Sequence, residues 1–250
     1  MSKLSEFIRL WTRPSKSNEF HNFIVIPELR VIARWNPKCG CSTLKKTFLM
    51  KLGHETNENI HVFIEKDHGA NGEKHGIFAL HSYLKKTKID FDDYTKIIVV
   101  RDVYEKLISA LIERSKNPTF HEAGYLNLTI SEFILKLNDC KDAHFYPQTY
   151  RLPENFKFDY IINLNKFDFV KKLIGLEGSL EKEGSHNSSY SDNNDDYKSK
   201  PIHACFNQPD RSYNRNVDNY FTANDLKIIN EYYRKDFLLL HSVNIGDALD

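Results

Sequence analysis

A run of four β-branched residues, Ile97-Ile98-Val99-Val100, constrains the fold of this chain more than any other stretch. A strand with one face in water alternates apolar and polar side chains, whereas this run is apolar on both faces. It therefore predicts a strand that is buried on both sides, as in a parallel sheet covered by helices. Apolar residues at helical spacing follow from Leu107 onward, so the strand leads directly into a helix.

The same alternation of strand and helix patterns continues along the 250 residues. Short apolar runs predict further strands at 23–26, 31–35, 60–64, 77–80 and 158–164, and helical spacing predicts helices at 42–52, 167–173 and 224–240. The pattern indicates an α/β fold with a central, mostly parallel sheet flanked by helices. We expect one domain over residues 1–250, with an N-terminal extension at 1–22 and a polar flexible loop at 181–200.

The charge of the chain is nearly balanced, with a formal net charge of +1. Nucleic acid is therefore not predicted as a partner, and any anion site must be local. No apolar run is long enough to cross a membrane, and residues 1–17 lack the pattern of a secretory signal. The four cysteines are expected as reduced thiols in the cytoplasm. The amphipathic N-terminal segment predicts docking on the domain or, as the alternative, peripheral contact with the inner membrane face. The oligomeric state is open.

The stretch WNPKCGCSTLK, residues 35–45, lies between a predicted strand and a predicted helix. Its Cys39 and Cys41 suggest metal or redox chemistry, but a structural zinc site needs two separated ligand pairs and a redox pair is normally CxxC. No metal site is therefore predicted. A loop of small residues that enters a helix points backbone N–H groups at one anion, and Lys38 adds a full charge. The nucleotide-hydrolase pattern GxxxxGK[ST] is absent, because Lys38 precedes the small residues.

A second polar pair follows the buried strand. Arg101 comes directly after the strand, and Ser109 follows eight residues later on the predicted helix. This geometry can place a guanidinium and a hydroxyl on one phosphate, although a surface ion pair and an ordinary helix serine would explain either residue alone. Both this pair and the Lys38 loop lie where strands turn into helices, which is where ligands bind in such folds.

Four stretches together resemble the PAPS-dependent sulfotransferases, in the family that contains the Golgi carbohydrate sulfotransferases and their bacterial relatives. They are NPKCGCSTLKK, VVRDVYEKLISAL, DAHFYPQTYRL and NYFTANDLKIINEYYRKDFLLL, in the family's order across residues 24–240. Val103, Lys106 and Asn165 stand where the family usually has proline, arginine and glutamate. The resemblance implies a three-layer fold like that of the P-loop nucleotide hydrolases.

The resemblance also implies the chemistry of the site. Transfer of a sulfuryl group from PAPS to a hydroxyl of a carbohydrate or related acceptor builds negative charge on the departing phosphate of PAP. A cation is needed there and a base at the hydroxyl, and Lys38 is implied as the cation. The resemblance implies 5′-phosphate contacts from Pro37, Lys38, Cys39, Gly40, Cys41, Ser42 and Thr43, and 3′-phosphate contacts from Arg101 and Ser109.

Three histidines are the leading candidates for the general base, a role that suits the ordinary pKa of imidazole, and a carboxylate or another histidine is the alternative. His81 lies 20 residues before Arg101, and its position resembles that of the catalytic histidine of heparan sulfate 2-O-sulfotransferase-like enzymes. His75 is its near competitor, and His144 belongs to the His-aromatic-x-Pro segment of the family. We predict catalytic roles for Lys38, His81 and His144.

Two other functions fit parts of the pattern. A catalytically inactive nucleotide-binding or scaffold protein of the same fold would keep the loops but turn Lys38 or the histidines away from the cleft. A P-loop kinase or nucleotide hydrolase would need GxxxxGK[ST], which is absent. We therefore predict a sulfotransferase that uses PAPS, without a metal, on a hydroxylated small molecule or glycan.

Overall fold

The computed structural model describes residues 20, 22–54, 75–176, 197–206 and 216–242. Its strands β1 to β5 are Phe23–Ile26, Val31–Arg34, Phe78–Ala79, Thr95–Val100 and Tyr160–Asn163. Its α-helices α1 to α9 are Cys41–Lys51, Leu80–Lys86, Val103–Arg114, Pro118–Glu122, Ile130–Leu135, Asp168–Leu173, Ile202–Phe206, Ala223–Tyr232 and Arg234–His241. The predicted strand at 60–64, most of the N-terminal extension at 1–22 and most of the predicted loop at 181–200 lie outside the described residues.

The five strands form one sheet in the order β3-β1-β2-β4-β5. Strands β2 and β4 are parallel neighbours, with Arg34 opposite Ile98, whereas β1 pairs antiparallel with both β2 and β3. The four β-branched residues at the end of β4 are at most 1% exposed. The predicted α/β fold with a central sheet flanked by helices is confirmed, and so is the parallel pairing of its buried strand.

The chain divides into two compact units. The first unit comprises residues 1–35, 44–98 and 150–160, and the second comprises 36–43, 99–149 and 161–250. Packed aromatic rings form much of the core of the first unit, in which the Phe23 and Phe156 ring centroids lie 4.9 Å apart. The core of the second unit includes the apolar side of α3, with Val103, Leu107 and Leu111 fully buried.

Two predicted elements differ from those in the structure, in each case because core packing intervenes. The predicted strand at 77–80 is reduced to the two residues of β3, since Leu80 begins α2 and is fully buried in the core of the first unit. The single helix predicted at 224–240 is interrupted at Tyr233. The Tyr233 side chain is buried, and its hydroxyl donates a hydrogen bond to the Phe145 carbonyl oxygen (2.5 Å).

Candidate active site

The loop of residues 36–43 reaches α1 through a tight turn. The backbone N–H of Cys39 donates to the Asn36 carbonyl oxygen (3.2 Å), and Lys38 and Gly40 have left-handed backbones with φ of +65° and +72°. Glycine suits position 40, because its backbone is left-handed and an added Cβ would lie 2.5 Å from Leu164 Cδ1, whose side chain would have to shift. Helix α1 begins at the next residue, and its first backbone N–H groups have no partner within the helix. The turn therefore presents donors at a helix start, as an anion site requires.

The Lys38 side chain is paired with a carboxylate that lies 75 residues away along the chain. Lys38 Nζ donates to Glu113 Oε2, and the two side chains are 19% and 48% exposed. Glu113 lies on α3, one helical turn after Ser109. The hydrogen bond from His144 is the main reason that the pKa of Glu113 is held well below its usual range; burial opposes this effect and Lys38 adds to it.

His144 lies between two carboxylates. Its Nδ1 is 2.7 Å from Asp142 Oδ1, and its Nε2 is 3.3 Å from Glu113 Oε1. Asp142 also accepts the backbone N–H of His144 (3.0 Å) and lies 2.5 Å from Arg114 Nε. Burial acts to lower the pKa of His144, but the hydrogen bonds to Asp142 and Glu113 outweigh it and raise the pKa above its usual value. Lys38, Glu113, His144, Asp142 and Arg114 thus form a chain of alternating charges, here called the charged cluster.

Arg101 follows β4 and contacts the Lys38 turn. Its Nη1 donates to the Lys38 carbonyl oxygen (3.3 Å), and its Nε donates to Glu105 Oε2 (3.2 Å). The next residue, Asp102, caps α3 by accepting the backbone N–H groups of Tyr104 and Glu105. Asp102 therefore caps the start of α3, and Arg101 contacts the loop of residues 36–43 that carries Lys38.

Gln148 joins the two loops from inside the protein. Its Oε1 accepts the Cys39 thiol (3.1 Å) and the Arg101 backbone N–H (2.9 Å), and its Nε2 donates to the Arg101 carbonyl oxygen (2.8 Å). Gln148 is fully buried, and its own backbone N–H donates to Asp236 Oδ2 (2.6 Å). Asp236 Oδ1 accepts the backbone N–H of Thr149 (2.8 Å). One amide side chain thus fixes the distance between the turn that carries Lys38 and the strand end that carries Arg101.

Two further buried groups support this arrangement. Lys106 Nζ donates to the carbonyl oxygens of His144 (3.0 Å) and Tyr146 (2.8 Å), and burial lowers the pKa of Lys106. Burial raises the pKa of the Cys39 thiol to about 12, so Cys39 is a neutral hydrogen-bond donor. Cys39 therefore acts in the packing of the loop, and Lys106 orients the segment that carries His144.

Residues 21–241 match the model of the sulfotransferase family, which covers most of the chain and both compact units. The chain belongs to the sulfotransferase family. No curated protein and no solved structure matches it. The predicted family is thereby confirmed at the level of sulfotransferases, and Lys38, Arg101 and His144 all lie within the matched residues of this sulfotransferase.

The second unit of the sulfotransferase brings together three of the predicted site residues, Lys38, Arg101 and His144. His81 belongs to α2 in the first unit, where its Nε2 lies 3.1 Å from Ser82 Oγ and burial lowers its pKa. The roles predicted for these side chains stay predictions.

The other predicted contacts lie on the same two segments of the second unit. Pro37, Cys41 and Ser42 are partly buried, and Thr43 is exposed at the start of α1. Ser109 is partly buried on α3, six residues after the helix begins. These residues therefore retain the accessibility that contact with an anion requires.

Several residues of the site, among them Gln148 and Glu113, were not predicted from the sequence. Gln148 stands in the DAHFYPQTYRL stretch and carries the family resemblance, but its contacts join residues 47 and 109 positions away. Glu113 follows Ser109 by four residues, so it shares a helix face with a predicted ligand. This four-residue spacing is the feature of the sequence from which Glu113 could have been predicted.

Within the residues that the structure describes, no group of three His, Cys, Asp or Glu side chains is arranged to hold a metal ion. The four cysteines, Cys39, Cys41, Cys140 and Cys205, are free thiols. No helix in this described part of the chain is long and apolar enough to span a membrane.

Proposed function

We propose that this sulfotransferase transfers the sulfuryl group of PAPS to a hydroxyl of a carbohydrate or related acceptor. The observation that carries the proposal is the pairing of two cationic loops in one unit. Arg101 Nη1 contacts the Lys38 carbonyl oxygen, and Gln148 is hydrogen-bonded to both loops. The single family match across both compact units also supports one sulfotransferase domain.

The residues present fit an anionic nucleotide. The turn at Lys38 and Gly40 offers backbone donors at a helix start, and the Lys38 and Arg101 side chains are 19% and 14% exposed. In the proposal, the loop of residues 37–43 holds the 5′-phosphate, and Arg101 and Ser109 hold the 3′-phosphate. Two cations, one on each loop, suit the two phosphate groups of such a nucleotide.

Lys38 has the central role in the proposed reaction. PAPS supplies the activated sulfuryl group and, as it reacts, a phosphate leaving group on which negative charge grows. An ammonium close to that oxygen stabilises the charge more in the transition state than in the ground state, and it therefore accelerates the transfer. Gln148 contributes by fixing the loop backbone, so that the backbone positions of Lys38 and Arg101 keep a constant separation.

The acceptor proton is proposed to leave through the charged cluster, which begins at Lys38 and contains His144. The resemblance assigns the role of general base to a histidine. His81 and His144 are the two candidates for it. A glycan or other hydroxylated small molecule is proposed as acceptor, in line with the carbohydrate sulfotransferases and their bacterial relatives. The free thiols support a cytoplasmic location, with or without peripheral contact at the inner membrane face.

The proposal is tested by thermal-shift titration with PAP, ATP and GTP. PAP should raise the Tm of the wild-type chain at micromolar concentrations, because a ligand that binds only the folded state stabilises it. Arg101→Ala should remove that shift, since the 3′-phosphate loses its guanidinium. Stabilisation by ATP with Mg²⁺ and none by PAP would instead support a nucleotide kinase or hydrolase.

The matched control is Arg234→Ala on α9, which removes an exposed arginine outside both loops. It should leave the PAP shift unchanged. If Arg101→Ala binds PAP as tightly as Arg234→Ala does, the assignment of the 3′-phosphate to Arg101 is wrong.

A further inference from the structure

Both ring nitrogens of His144 face carboxylates in this structure. Nδ1 lies 2.7 Å from Asp142 Oδ1 and Nε2 lies 3.3 Å from Glu113 Oε1. A neutral imidazole has one N–H donor and one acceptor nitrogen, and a carboxylate can only accept. Two carboxylates therefore select the imidazolium, in which both nitrogens donate. An imidazolium cannot take another proton, so His144 in this arrangement is a cation and not a base.

The carboxylate of Glu113 is the basic group of the charged cluster that is most open to an acceptor. Its side chain is 48% exposed, whereas the Asp142 side chain is 16% exposed and is held by both His144 and Arg114. Glu113 Oε2 is held by Lys38, which is also the cation proposed for the leaving phosphate. The same ammonium thus has two competing anionic partners.

We infer that Glu113 takes the proton from the acceptor hydroxyl, and that binding of the sulfuryl donor releases it for this role by drawing Lys38 away. His144 and Asp142 then act as positioning residues that hold the carboxylate through Oε1. The inference rests on the proposed function, because it requires a phosphosulfate that attracts Lys38.

The proposed step moves one proton and one sulfuryl group. The acceptor O–H bond breaks and its proton passes to Glu113 Oε2, while the hydroxyl oxygen forms a bond to sulfur. The bond between sulfur and the bridging phosphate oxygen breaks, and its electron pair stays on the phosphate, where Lys38 stabilises the charge. The products are a sulfate ester, PAP and a protonated Glu113, which returns its proton to solvent.

Donor binding also changes the strength of the base in the required direction. Without donor, His144 and Lys38 both hold the pKa of Glu113 well below its usual range, which makes the carboxylate a weak base. When Lys38 turns to the donor, one of these two cations is lost and the pKa of Glu113 rises. His144 remains beside Oε1, with Asp142 and Arg114 behind it. Glu113 is therefore a better base when the donor is bound than when it is absent.

Binding of PAP to Glu113→Gln, measured by isothermal titration calorimetry on the full chain, tests the competition for Lys38. The glutamine cannot form the ion pair, so Lys38 is available to phosphate and PAP should bind about two- to fivefold more tightly. A residue with a merely structural role would weaken binding when replaced. Glu231→Gln, an exposed glutamate on α8, is the control and should leave the Kd unchanged. An unchanged or weaker PAP affinity in Glu113→Gln overturns the inference.

Turnover of PAPS with water as the acceptor, followed as release of PAP, tests the proton transfer. Glu113→Gln should lower kcat by about 10²- to 10⁴-fold and should remove the acidic limb of the pH profile. His144→Gln should lower kcat by about tenfold or less and keep an acidic limb, since it removes only the positioning. Near-normal turnover in Glu113→Gln with loss of turnover in His144→Gln would overturn the inference and make His144 the base.

Binding of PAP to the wild-type chain and to Glu113→Gln tests the two proposals separately. If PAP does not bind the wild-type chain, the proposed function itself is wrong. If PAP binds wild type and Glu113→Gln equally well, the proposed function stands and the inference about Glu113 falls.

Discussion

At the scale of single residues, the proton on His144 makes the stability of the chain depend on pH. Burial acts to lower the pKa of His144, but its hydrogen bonds to Asp142 and Glu113 raise it in the folded state. The resulting stabilisation is fully present below the ordinary imidazole pKa of about 6.5, and it is lost as the pH rises through the raised folded value. His144→Gln should therefore be destabilised relative to wild type most strongly near pH 6, and the difference should shrink towards pH 9.

Urea unfolding of both chains at a series of pH values measures this difference. His121→Gln, on the exposed surface of α4, is the matched control and should leave the pH dependence as it is in wild type. A difference between His144→Gln and wild type that grows with rising pH would mean that His144 is neutral in the folded chain.

Some residues of the site could be predicted from the sequence, and others could not. Lys38 and Arg101 were predicted because each lies in a local pattern, a small-residue loop and a strand end. Glu113 was not predicted, because its role in the site depends on contacts with Lys38 and His144, which lie 75 and 31 positions away along the chain. Helical spacing gives the face on which Glu113 lies, but only the tertiary fold gives its partners.

At the scale of elements, the turn before α1 depends on Gly40. Alanine at this position would have to keep a φ of +72° and would place a Cβ 2.5 Å from Leu164 Cδ1. The left-handed backbone costs about 1–2 kcal/mol for an ordinary L residue, and the overlap, which the end of the Leu164 side chain can partly relieve by shifting, adds about 1–2 kcal/mol. Gly40→Ala should therefore lower the free energy of unfolding by about 2–4 kcal/mol and weaken PAP binding, measured by urea unfolding and calorimetry.

Gly53 separates the two effects, because it has a φ of +78° but nothing within 4 Å of an added Cβ. Gly53→Ala should thus show the backbone effect alone, about 1–2 kcal/mol, and normal PAP binding. Adding Leu164→Ala to Gly40→Ala should relieve the overlap. An equal loss of stability in the two single alanine variants would show that the contact with Leu164 has no effect.

The elements themselves divide into those set by local sequence and those set by packing. The β4 strand and α3 followed from an apolar run and from helical spacing, and both are present. The interruption of the helix at Tyr233 could not be predicted from the sequence, because the residues on either side of it continue the helical pattern. What interrupts the helix is the fully buried Tyr233 side chain and its hydrogen bond to the Phe145 carbonyl oxygen, 88 positions away.

At the scale of the whole molecule, the site of the second unit is assembled from three separate stretches of the chain. Cys39 and Arg101 lie on two of them and meet on Gln148, and Asp236 near the end of the described residues holds the Gln148 backbone. The resemblance predicted that the first two of its four stretches hold the two phosphate groups of one nucleotide. It did not predict that a buried amide and a buried carboxylate connect them, since no local pattern encodes a contact across 88 positions.

Asp236 is the point at which this connection is most sensitive. Its carboxylate is fully buried and accepts the backbone N–H groups of Gln148 and Thr149 and the Thr149 hydroxyl. Asp236→Ala leaves these donors without an acceptor, and each unsatisfied buried donor costs about 1–3 kcal/mol before any relaxation. We expect a loss of about 2–4 kcal/mol in the free energy of unfolding, measured with urea.

The same change should weaken PAP binding, although Asp236 is on α9 and is not among the residues assigned to the nucleotide. A displaced Gln148 loosens both the Lys38 turn and the Arg101 strand end, so the backbone segments that carry the two cations lose their fixed separation. Asp218→Ala, an exposed aspartate near the start of α8, should change stability by less than about 0.5 kcal/mol and leave PAP binding intact. A destabilised Asp236→Ala chain that still binds PAP with wild-type affinity while folded would show that the loops keep their separation without Gln148.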